Sequence, residues 1–353
     1  MAPPELDADA ISQILIRMPP DEPAHLIRAS LVCKPWRRIL FDPAFLRRYR
    51  EFHRTPPLLG FLRFKNHHHR FDSTATASPF SRLELPRGSW QTLDCRHGRV
   101  LFFAFDDYGS LGLLLWNPIT GEQQRLPKPK SLNLEALTFS AAVLCAVDSC
   151  NHFDCHGGPF LVVLAAGAVE DEFSWASEYS SETGVWSDST TADFSTSNKI
   201  RANATISRPS LFTGDAAYFI LPRGNAILKY DLGGRGLSVI DVPDVYNKTG
   251  IVMTAEDGGL GYAGVKGYNL YLWSWKANAE GIRSVKGLKK LLSIPDMHRI
   301  SPDVIGFVEG TDTIFVSTCL NIFTLKLKSG QIRKVGPRLG YGPVVPYMSF
   351  YTQ

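Results

Sequence analysis

The sequence lacks any apolar stretch long enough to cross a bilayer. Its longest apolar run, residues 160–169, falls short of the roughly 18 residues that a membrane-spanning helix requires. Residues 1–7 hold no basic segment followed by an apolar one, so they do not resemble a secretory signal. Six cysteines in 353 residues, without such a signal, predict reduced thiols rather than a disulfide framework. We therefore expect a chain of the cytosol or the nucleus, with no membrane partner.

The sequence also has little excess charge of either sign and few catalytic motifs. Its 38 Lys+Arg against 34 Asp+Glu leave a net charge of +4, which is too small to predict a nucleic-acid partner by itself. It contains no G-x-S-x-G nucleophile elbow and no paired-carboxylate motif. These absences predict a non-catalytic protein without a catalytic residue or a cofactor, although an active site assembled from distant loops stays open.

One glycine pattern matches a cofactor motif by its letters alone. Residues 259–264 read G-x-G-x-x-G, but a dinucleotide site needs a helix to follow, so that the phosphate meets the amide groups of a helix N-terminus. The residues that follow, 265–272, have the pattern of a turn and a strand. The motif therefore predicts a loop that connects two strands.

A second cluster has metal-ligand chemistry. Three cysteines and two histidines fall within twelve residues: Cys145, Cys150, His152, Cys155 and His156. Thiolates and imidazoles can hold zinc, but these spacings are not the C-x-x-C pairs of a structural site. We favour unpaired thiols and predict no metal. The run His67–His69 predicts a solvated loop that could scavenge metal.

The first 52 residues have the periodicity of short amphipathic helices. Apolar residues between Ile11 and Met18 recur at i, i+3, i+4 and i+7, which predicts one helical stripe. Asp7 or Asp9 can cap its start, and Pro19-Pro20 ends it.

Further helix starts follow at Asp21-Glu22-Pro23, Lys34-Pro35 and Asp42-Pro43. A helical unit of about 45 residues buries too little apolar surface to be stable alone. Either the rest of the chain or a second protein must cover its apolar stripes, and the pattern alone leaves both open.

The same segment resembles a known motif. Residues 6–19 read LDADAISQILIRMP, and residues 31–40 read LVCKPWRRIL. Together they resemble the F-box, whose usual run is L-x-x-D-x-x-x-x-I-L-x-x-L-P followed by S-x-V-C-K-x-W-R. Met18 stands where leucine is commoner, a swap that conserves volume. The resemblance implies docking on a Skp-type adaptor, which links F-box proteins to the cullin of an SCF ubiquitin ligase.

The resemblance assigns nine positions to the F-box core or to the adaptor-binding face. They are Leu6, Ile14, Leu15, Pro19, Leu26, Leu31, Val32, Trp36 and Leu40. Pro19 and the exposed leucines are the expected contacts, and Trp36 is the expected internal anchor. Truncating anchors of this kind typically costs about 2–4 kcal/mol of binding free energy.

A DNA-binding helix-turn-helix is the competing interpretation of this helical head. Its basis is a set of basic residues: Arg28, Lys34, Arg37, Arg38, Arg47, Arg48 and Arg50. The short helices are broken by proline and present no polar face that could contact bases. We therefore favour a solvated face for these side chains and expect no nucleic-acid partner.

From Pro56 onward the helical period gives way to short β-rich runs bounded by Gly, Pro, Asn and Asp. The runs are residues 98–105, 113–116, 160–164, 217–220, 227–232, 270–273 and 313–317. They recur as units of about 40–60 residues, which is typical of kelch-like propeller blades. Residues 344–351 could close the ring with the first unit. Trp90, Trp175 and Trp273 could contact a ligand, but core packing is the favoured role.

Residues 256–262 and 346–351 resemble the propeller-like region of plant F-box proteins, particularly those of grasses. The fold expected is an α+β multidomain chain: a small three- or four-helix F-box at 1–53, then a mainly-β propeller-like domain of about six blades at 54–353. The resemblance implies a substrate-recognition subunit, whose head binds the adaptor and whose body holds a target protein. The alternative is a small-molecule sensor or enzyme that uses the central channel.

Overall fold

The computed structural model describes most of the chain. The described residues are 7–65, 68–74, 90–105, 111–129, 137–153, 155, 157–168, 173–193, 208–220, 226–242, 250–266, 269–277, 283–293, 302–338 and 342–350.

Four helices form the N-terminal head: α1 (Ala8–Leu15), α2 (Ala24–Ser30), α3 (Lys34–Leu40) and α4 (Pro43–His53). Local signals set their starts, because Asp7 caps α1 through the N–H of Ala10 at 2.6 Å. The Asp42 carboxylate caps α4, and proline occupies the first turn of both α3 and α4. The predicted helices are confirmed. None of these four helices is long and apolar enough to cross a membrane.

The head has a small core of its own. Its buried apolar residues are Leu15, Ile16, Ala29, Leu40, Phe45 and Tyr49, joined by Phe350 from the far end of the chain. Tyr49 also donates its hydroxyl to the carbonyl of Met18 at 2.7 Å, which ties α4 to the end of α1. The aromatic rings of Tyr49 and Phe350 meet edge to face at 6.3 Å. The head is therefore completed by a residue that follows the last strand.

The rest of the described chain is built of strands. They are β1 (Leu58–Lys65), β2 (His68–Ser73), β3 (Gln91–Arg96), β4 (Arg99–Phe105), β5 (Leu111–Trp116), β6 (Gln123–Leu126), β7 (Leu137–Cys145), β8 (Phe160–Ala168), β9 (Phe173–Ser180), β10 (Val185–Trp186), β11 (Thr190–Asp193), β12 (Leu211–Thr213), β13 (Ala216–Ile220), β14 (Ala226–Asp231), β15 (Leu237–Asp241), β16 (Gly250–Thr254), β17 (Leu260–Lys266), β18 (Asn269–Ala277), β19 (Arg283–Ser293), β20 (Asp303–Val308), β21 (Thr313–Ser317), β22 (Asn321–Lys326), β23 (Ile332–Pro337) and β24 (Val344–Met348).

These strands form six antiparallel sheets, which we number as blades along the chain. Blade 1 is β24–β1–β2, blade 2 is β3–β6, blade 3 is β7–β10 with β11 on β9, and blades 4, 5 and 6 are β12–β15, β16–β19 and β20–β23. Each blade contacts the next, and β20 of blade 6 contacts β24 of blade 1. The molecule is therefore a head of four helices followed by a six-blade β-propeller, as the sequence predicted.

The ring is closed by strands from opposite ends of the chain. β24 pairs with β1, with Leu62 opposite Val345 and Phe61 opposite Pro346. This pairing confirms the predicted closure by residues 344–351, since the last strand supplies the inner strand of blade 1.

Each predicted repeat unit corresponds to a blade, and the last two strands of a blade form an outer hairpin. These hairpins join β5 to β6, β9 to β10, β14 to β15 and β22 to β23. Gly121 and Gly330 adopt φ values of 75° and 71° in these turns, a conformation that glycine takes without steric cost. The G-x-G-x-x-G segment is not the predicted connecting loop, because residues 260–264 belong to β17 and pair with β16 and β18.

The three tryptophans singled out from the sequence belong to the core. Trp90 is 8% exposed, and Trp175 and Trp273 are each 4% exposed. Each packs in a hydrophobic cluster of the propeller, which confirms the packing role over the ligand-contact role.

Candidate functional site

Among the residues that the structure describes, the head holds most of the exposed large hydrophobic side chains. Of the eight large hydrophobic side chains exposed in the described part of the chain, five belong to the head: Ile14, Leu31, Val32, Phe41 and Phe52. Leu31 and Val32 are 78% and 64% exposed. A partner that buried either side chain fully would gain roughly 1.5–3 kcal/mol.

The connection between α2 and α3 explains why these two side chains face outward. Leu31 caps the C-terminus of α2, and Cys33 precedes α3 with an extended backbone at φ −159°. Only three residues join the two helices, so the chain turns sharply before either side chain can reach the head core. The segment Leu31–Cys33 is exposed throughout.

The structure divides eight of the nine sequence-predicted residues into two groups, those in or against the head core and those exposed. Leu15 and Leu40 are buried in the head core, and Leu26 and Trp36 are half-buried against it. The exposed residues are Ile14, Pro19, Leu31 and Val32. Leu6 lies outside the described residues.

The basic residues of the head do not all lie on a solvated face. Arg28, Lys34, Arg37, Arg38, Arg47 and Arg48 are exposed, in agreement with the expectation. Arg50 is only 8% exposed, so the expectation is wrong there. The reason is that Arg50 lies on the side of α4 that faces the propeller, which covers its side chain.

Arg50 lies in a cleft between the head and the propeller. The cleft has a volume of about 250 Å³, and one side is formed by Arg50 of α4 and by Pro56, which lies between α4 and β1. Its propeller side includes His97 from the β3–β4 turn, Asn117 and Ile119 from the β5–β6 turn, residues 152, 153 and 155 from the β7–β8 connection, and residues 348–350. The chain folds in this way because Phe350 enters the head core directly after β24.

The cysteine and histidine cluster of the sequence reaches this cleft. Ligand atoms of Cys145, Cys150, His152 and Cys155 all lie within 4.8 Å of one another. Cys155 Sγ lies 3.7 Å from His152 Nδ1. His156 lies outside the described residues. The spacing of these residues in the sequence differs from that of a C-x-x-C zinc site. The fold nevertheless brings four metal-ligating groups together.

Burial shifts the pKa values of the thiols and imidazoles in and beside this cluster, and so determines whether they carry a proton at pH 7. It raises the pKa of the Cys145 and Cys155 thiols, so both keep their protons at neutral pH. Partial desolvation lowers the pKa of His152. The pKa of His97 falls to about 3, first through burial and then through its neighbour His152, whose ring centroid lies 4.4 Å away. Both imidazoles are therefore neutral at pH 7.

The backbone around the cluster is strained. Five residues other than glycine have positive φ in the described chain, and three of them lie here: His97 at 52°, Ser149 at 53° and His152 at 58°. A residue held in this region costs on the order of 1–3 kcal/mol and persists only where its surroundings fix it. Contacts within the cluster must offset this cost.

A buried ion network crosses the ring of blades. Arg96, at the end of β3 in blade 2, forms ion pairs with Asp94 of its own strand and with Glu309 after β20 in blade 6. It donates to the Ser210 carbonyl, just before blade 4, at 2.7 Å. Asp94 also accepts from the N–H of Val143 in blade 3 at 2.7 Å. Four blades are tied together by one guanidinium and its partners.

This network was not predicted from the sequence. Its signal was present, because Asp94 and Arg96 are alternate residues in a strand and share one face. Burial raises the pKa of Asp94 to about 6, while Arg96 opposes that rise. Asp94 is therefore ionised at pH 7 and depends on Arg96 for its counter-charge.

Comparison with known families identifies one region of the chain. A family model described as F-box domain matches residues 4–48, which reach from before α1 into α4. The N-terminal helices therefore form an F-box domain. No curated protein matches the sequence.

Several solved structures are similar to the chain at low identity. A functionally unknown protein from Desulfotomaculum acetoxidans is 10% identical with a TM-score of 0.43, over 84% of each chain. TolB from Acinetobacter baumannii is 16% identical with a TM-score of 0.40, over 85% of this chain and 69% of that one. A mutant of AofleA from Arthrobotrys oligospora is 12% identical with a TM-score of 0.40, over 82% and 81%. None of these likenesses bears on function.

Proposed function

We propose that this protein is the substrate-recognition subunit of an SCF-type ubiquitin ligase of the plant, kelch-like kind. Its head binds a Skp-type adaptor, and through it a cullin, while the propeller holds a target protein. The observation that carries the proposal is the F-box match over residues 4–48 together with the exposed apolar side chains of that segment. The protein acts without catalysis, by raising the local concentration of the target near the transferring enzyme.

The burial of the nine F-box positions supports a division of roles. We assign Ile14, Pro19, Leu31 and Val32 to the adaptor-binding face, because they are exposed. Leu15, Leu26, Trp36 and Leu40 hold the head together from inside, since they belong to its core or pack against it. Exposure of leucine and valine side chains to water is unfavourable, and burying them in an interface lowers the free energy.

We assign target binding to the propeller end that lies opposite the head. The head lies against the end at which β3 and β24 terminate, as the residues of the cleft indicate. The β21–β22 turn lies at the other end, where Leu320 is 69% exposed. Loops held on a rigid scaffold commonly bind partners.

A ligand or substrate in the central channel is less favoured. Arg96 joins residues of blades 2, 4 and 6 across the ring, in the space that such a ligand would need. In this proposal the chain divides into an F-box head at 1–53 and a substrate-binding propeller at 54–353, and it acts in the cytosol or the nucleus.

Co-purification with a Skp-type adaptor tests the proposal. We expect Leu31→Glu combined with Pro19→Ala to abolish binding, because a buried anchor is worth about 2–4 kcal/mol, or roughly 30- to 900-fold in Kd. The control is Leu320→Glu, which changes a leucine of the propeller that is 69% exposed and should leave adaptor binding intact. If the double variant keeps the unfolding temperature of the original protein and still binds the adaptor, the assignment is wrong.

A further inference from the structure

The connection between β7 and β8 concentrates the cysteines of the chain. Three of the six cysteines lie between the end of β7 and residue 155, together with His152. The connection spans residues 146–159. Its described residues form no helix or strand, and loops of about 12–15 residues or more are uncommon in compact domains and are usually functional or linker segments.

We propose that Cys145, Cys150, His152 and Cys155 bind one zinc ion at a structural site. Zinc bonds of about 2.3 Å to sulfur and 2.0–2.1 Å to nitrogen, in tetrahedral geometry, place neighbouring ligand atoms about 3.6–3.8 Å apart. The distance from Cys155 Sγ to His152 Nδ1 is 3.7 Å, and all four ligand atoms lie within 4.8 Å. Three sulfur ligands and one nitrogen ligand form a set that selects zinc, and four protein ligands leave no position open for catalysis.

Backbone donors point at two of the sulfur atoms. The N–H of Val147 lies 3.5 Å from Cys145 Sγ, and the N–H of His152 lies 3.4 Å from Cys150 Sγ. Hydrogen bonds of this kind orient sulfur ligands and stabilise the thiolate charge that a metal requires. The left-handed backbone at Ser149 and His152 turns the connection so that all four groups converge.

The charge of the site is balanced by an arginine. On binding, each of the three thiols releases its proton to solvent, so that three thiolates, a neutral imidazole and Zn²⁺ carry a net charge of −1. The Arg99 guanidinium interacts electrostatically with Cys155 and Cys145. It is held in place over the Phe160 ring, 5.2 Å from the centroid, and it donates to the Gly158 carbonyl at the end of the same connection.

The site would stabilise the junction between the helical head and the propeller. His152 and Cys155 line the same cleft as Arg50 of α4 and Phe350. A zinc ion would therefore fix one side of the cleft and hold the head at a set orientation above the propeller. This inference does not depend on the proposed ligase function, because it concerns ligands within the propeller alone.

Metal analysis of the untagged full-length protein tests the proposal. We expect stoichiometric zinc after dialysis, and we expect Cys145→Ser combined with Cys155→Ser to lose it. The matched control is Cys33→Ser combined with Cys319→Ser, which removes two cysteines outside the cluster and should retain the zinc. Equal zinc in both double variants would overturn the proposal.

A second variant separates this site from adventitious binding. Replacing His67–His69 with alanine removes the histidine run and should leave the zinc content unchanged. If this variant loses the zinc while the cluster variant keeps it, the metal belongs to the histidine run and the proposal fails.

Measurements on the unmodified protein cover the case in which the cluster variant does not fold. Apoprotein prepared with a chelator should react with a thiol reagent at all six cysteines once it is unfolded. In the folded protein, added zinc should protect three of these cysteines from the reagent. Cobalt added to the apoprotein should give the visible absorption of a tetrahedral thiolate site. Fewer than six thiols in the unfolded, non-reduced apoprotein would indicate a disulfide, and an unchanged reaction rate on adding zinc would exclude the site.

Discussion

Replacement of Arg96 by methionine should destabilise the propeller in a way that depends on pH. Arg96 is 7% exposed, and it pairs with Asp94, which is 3% exposed, and with Glu309 across the ring. Methionine conserves much of the volume of the side chain but removes every donor. Asp94 would then stay buried with backbone N–H donors, those of Val143 and Cys95, but without a counter-charge on its own strand.

The size of the effect follows from the burial of Asp94. Removing one partner of a buried ion pair costs about 3–5 kcal/mol of the free energy of unfolding, because the other charge is left uncompensated. Glu309 adds little to this cost, since its side chain is 31% exposed and water can solvate it. We therefore expect a loss of about 3–5 kcal/mol at pH 8.

The sign of the pH dependence follows from the raised pKa of Asp94. Burial places this pKa at about 6, above the usual 3.8 of an aspartate, so the folded state binds the proton more tightly than the unfolded state does. The stability that this proton contributes is fully present below pH 3.8 and is lost as the pH rises through 6. Without Arg96 the folded pKa rises further, so the deficit of the variant should be smaller at pH 5 than at pH 8.

Urea unfolding followed by tryptophan fluorescence at pH 5 and pH 8 measures both quantities. The control is Lys229→Met, because its partner Asp231 is 42% exposed and stays solvated when the lysine is lost, and such surface pairs contribute little to stability. Adding Asp94→Asn to the Arg96 variant should recover part of the loss at pH 8. An Arg96 deficit no larger than that of the control, or one that grows toward acid pH, would refute the reasoning.

Two further substitutions test how the ring and the head are completed. Phe350→Ala should lower the stability of the head by about 3–5 kcal/mol, the usual cost of truncating a buried Phe, and hydrogen exchange should then show faster exchange at Tyr49 than in the propeller. Gly306→Ala should destabilise ring closure, because its Cβ would lie 2.8 Å from Val344 Cγ2 and 2.9 Å from the Val344 carbonyl oxygen. Gly336→Ala, whose Cβ meets nothing within 4 Å, should leave the melting temperature nearly unchanged, and equal melting of the two variants would contradict the packing argument.

Local signals made the helices and the blades predictable from the sequence. Asp42 caps α4 through its own neighbours, and Gly121 and Gly330 turn the chain within a few residues. Each of these features depends on residues close together in the sequence. The apolar period then predicts which face of each element is buried, and the blade count follows from the repeats.

Contacts between distant segments were not predictable in the same way. The Arg96 network brings together residues 94, 210 and 309, which no local pattern connects. The burial of Arg50 depends on where the propeller lies beneath α4. Cys145 and Cys155 come together because residues between them have left-handed backbone conformations. The C-x-x-C sequence motif describes a shorter connection and does not predict this conformation.

The pairing of β24 with β1 has a consequence for biosynthesis. A nascent chain that has emerged only as far as β23 has no inner strand for blade 1 and no Phe350 for the head core. Blade 1 and the head core are completed together, when residues 344–350 leave the ribosome and pack against β1 and the head. A prematurely terminated chain thus exposes an open sheet edge and an unfinished helical unit together, and these are the surfaces that chaperones and proteases recognise.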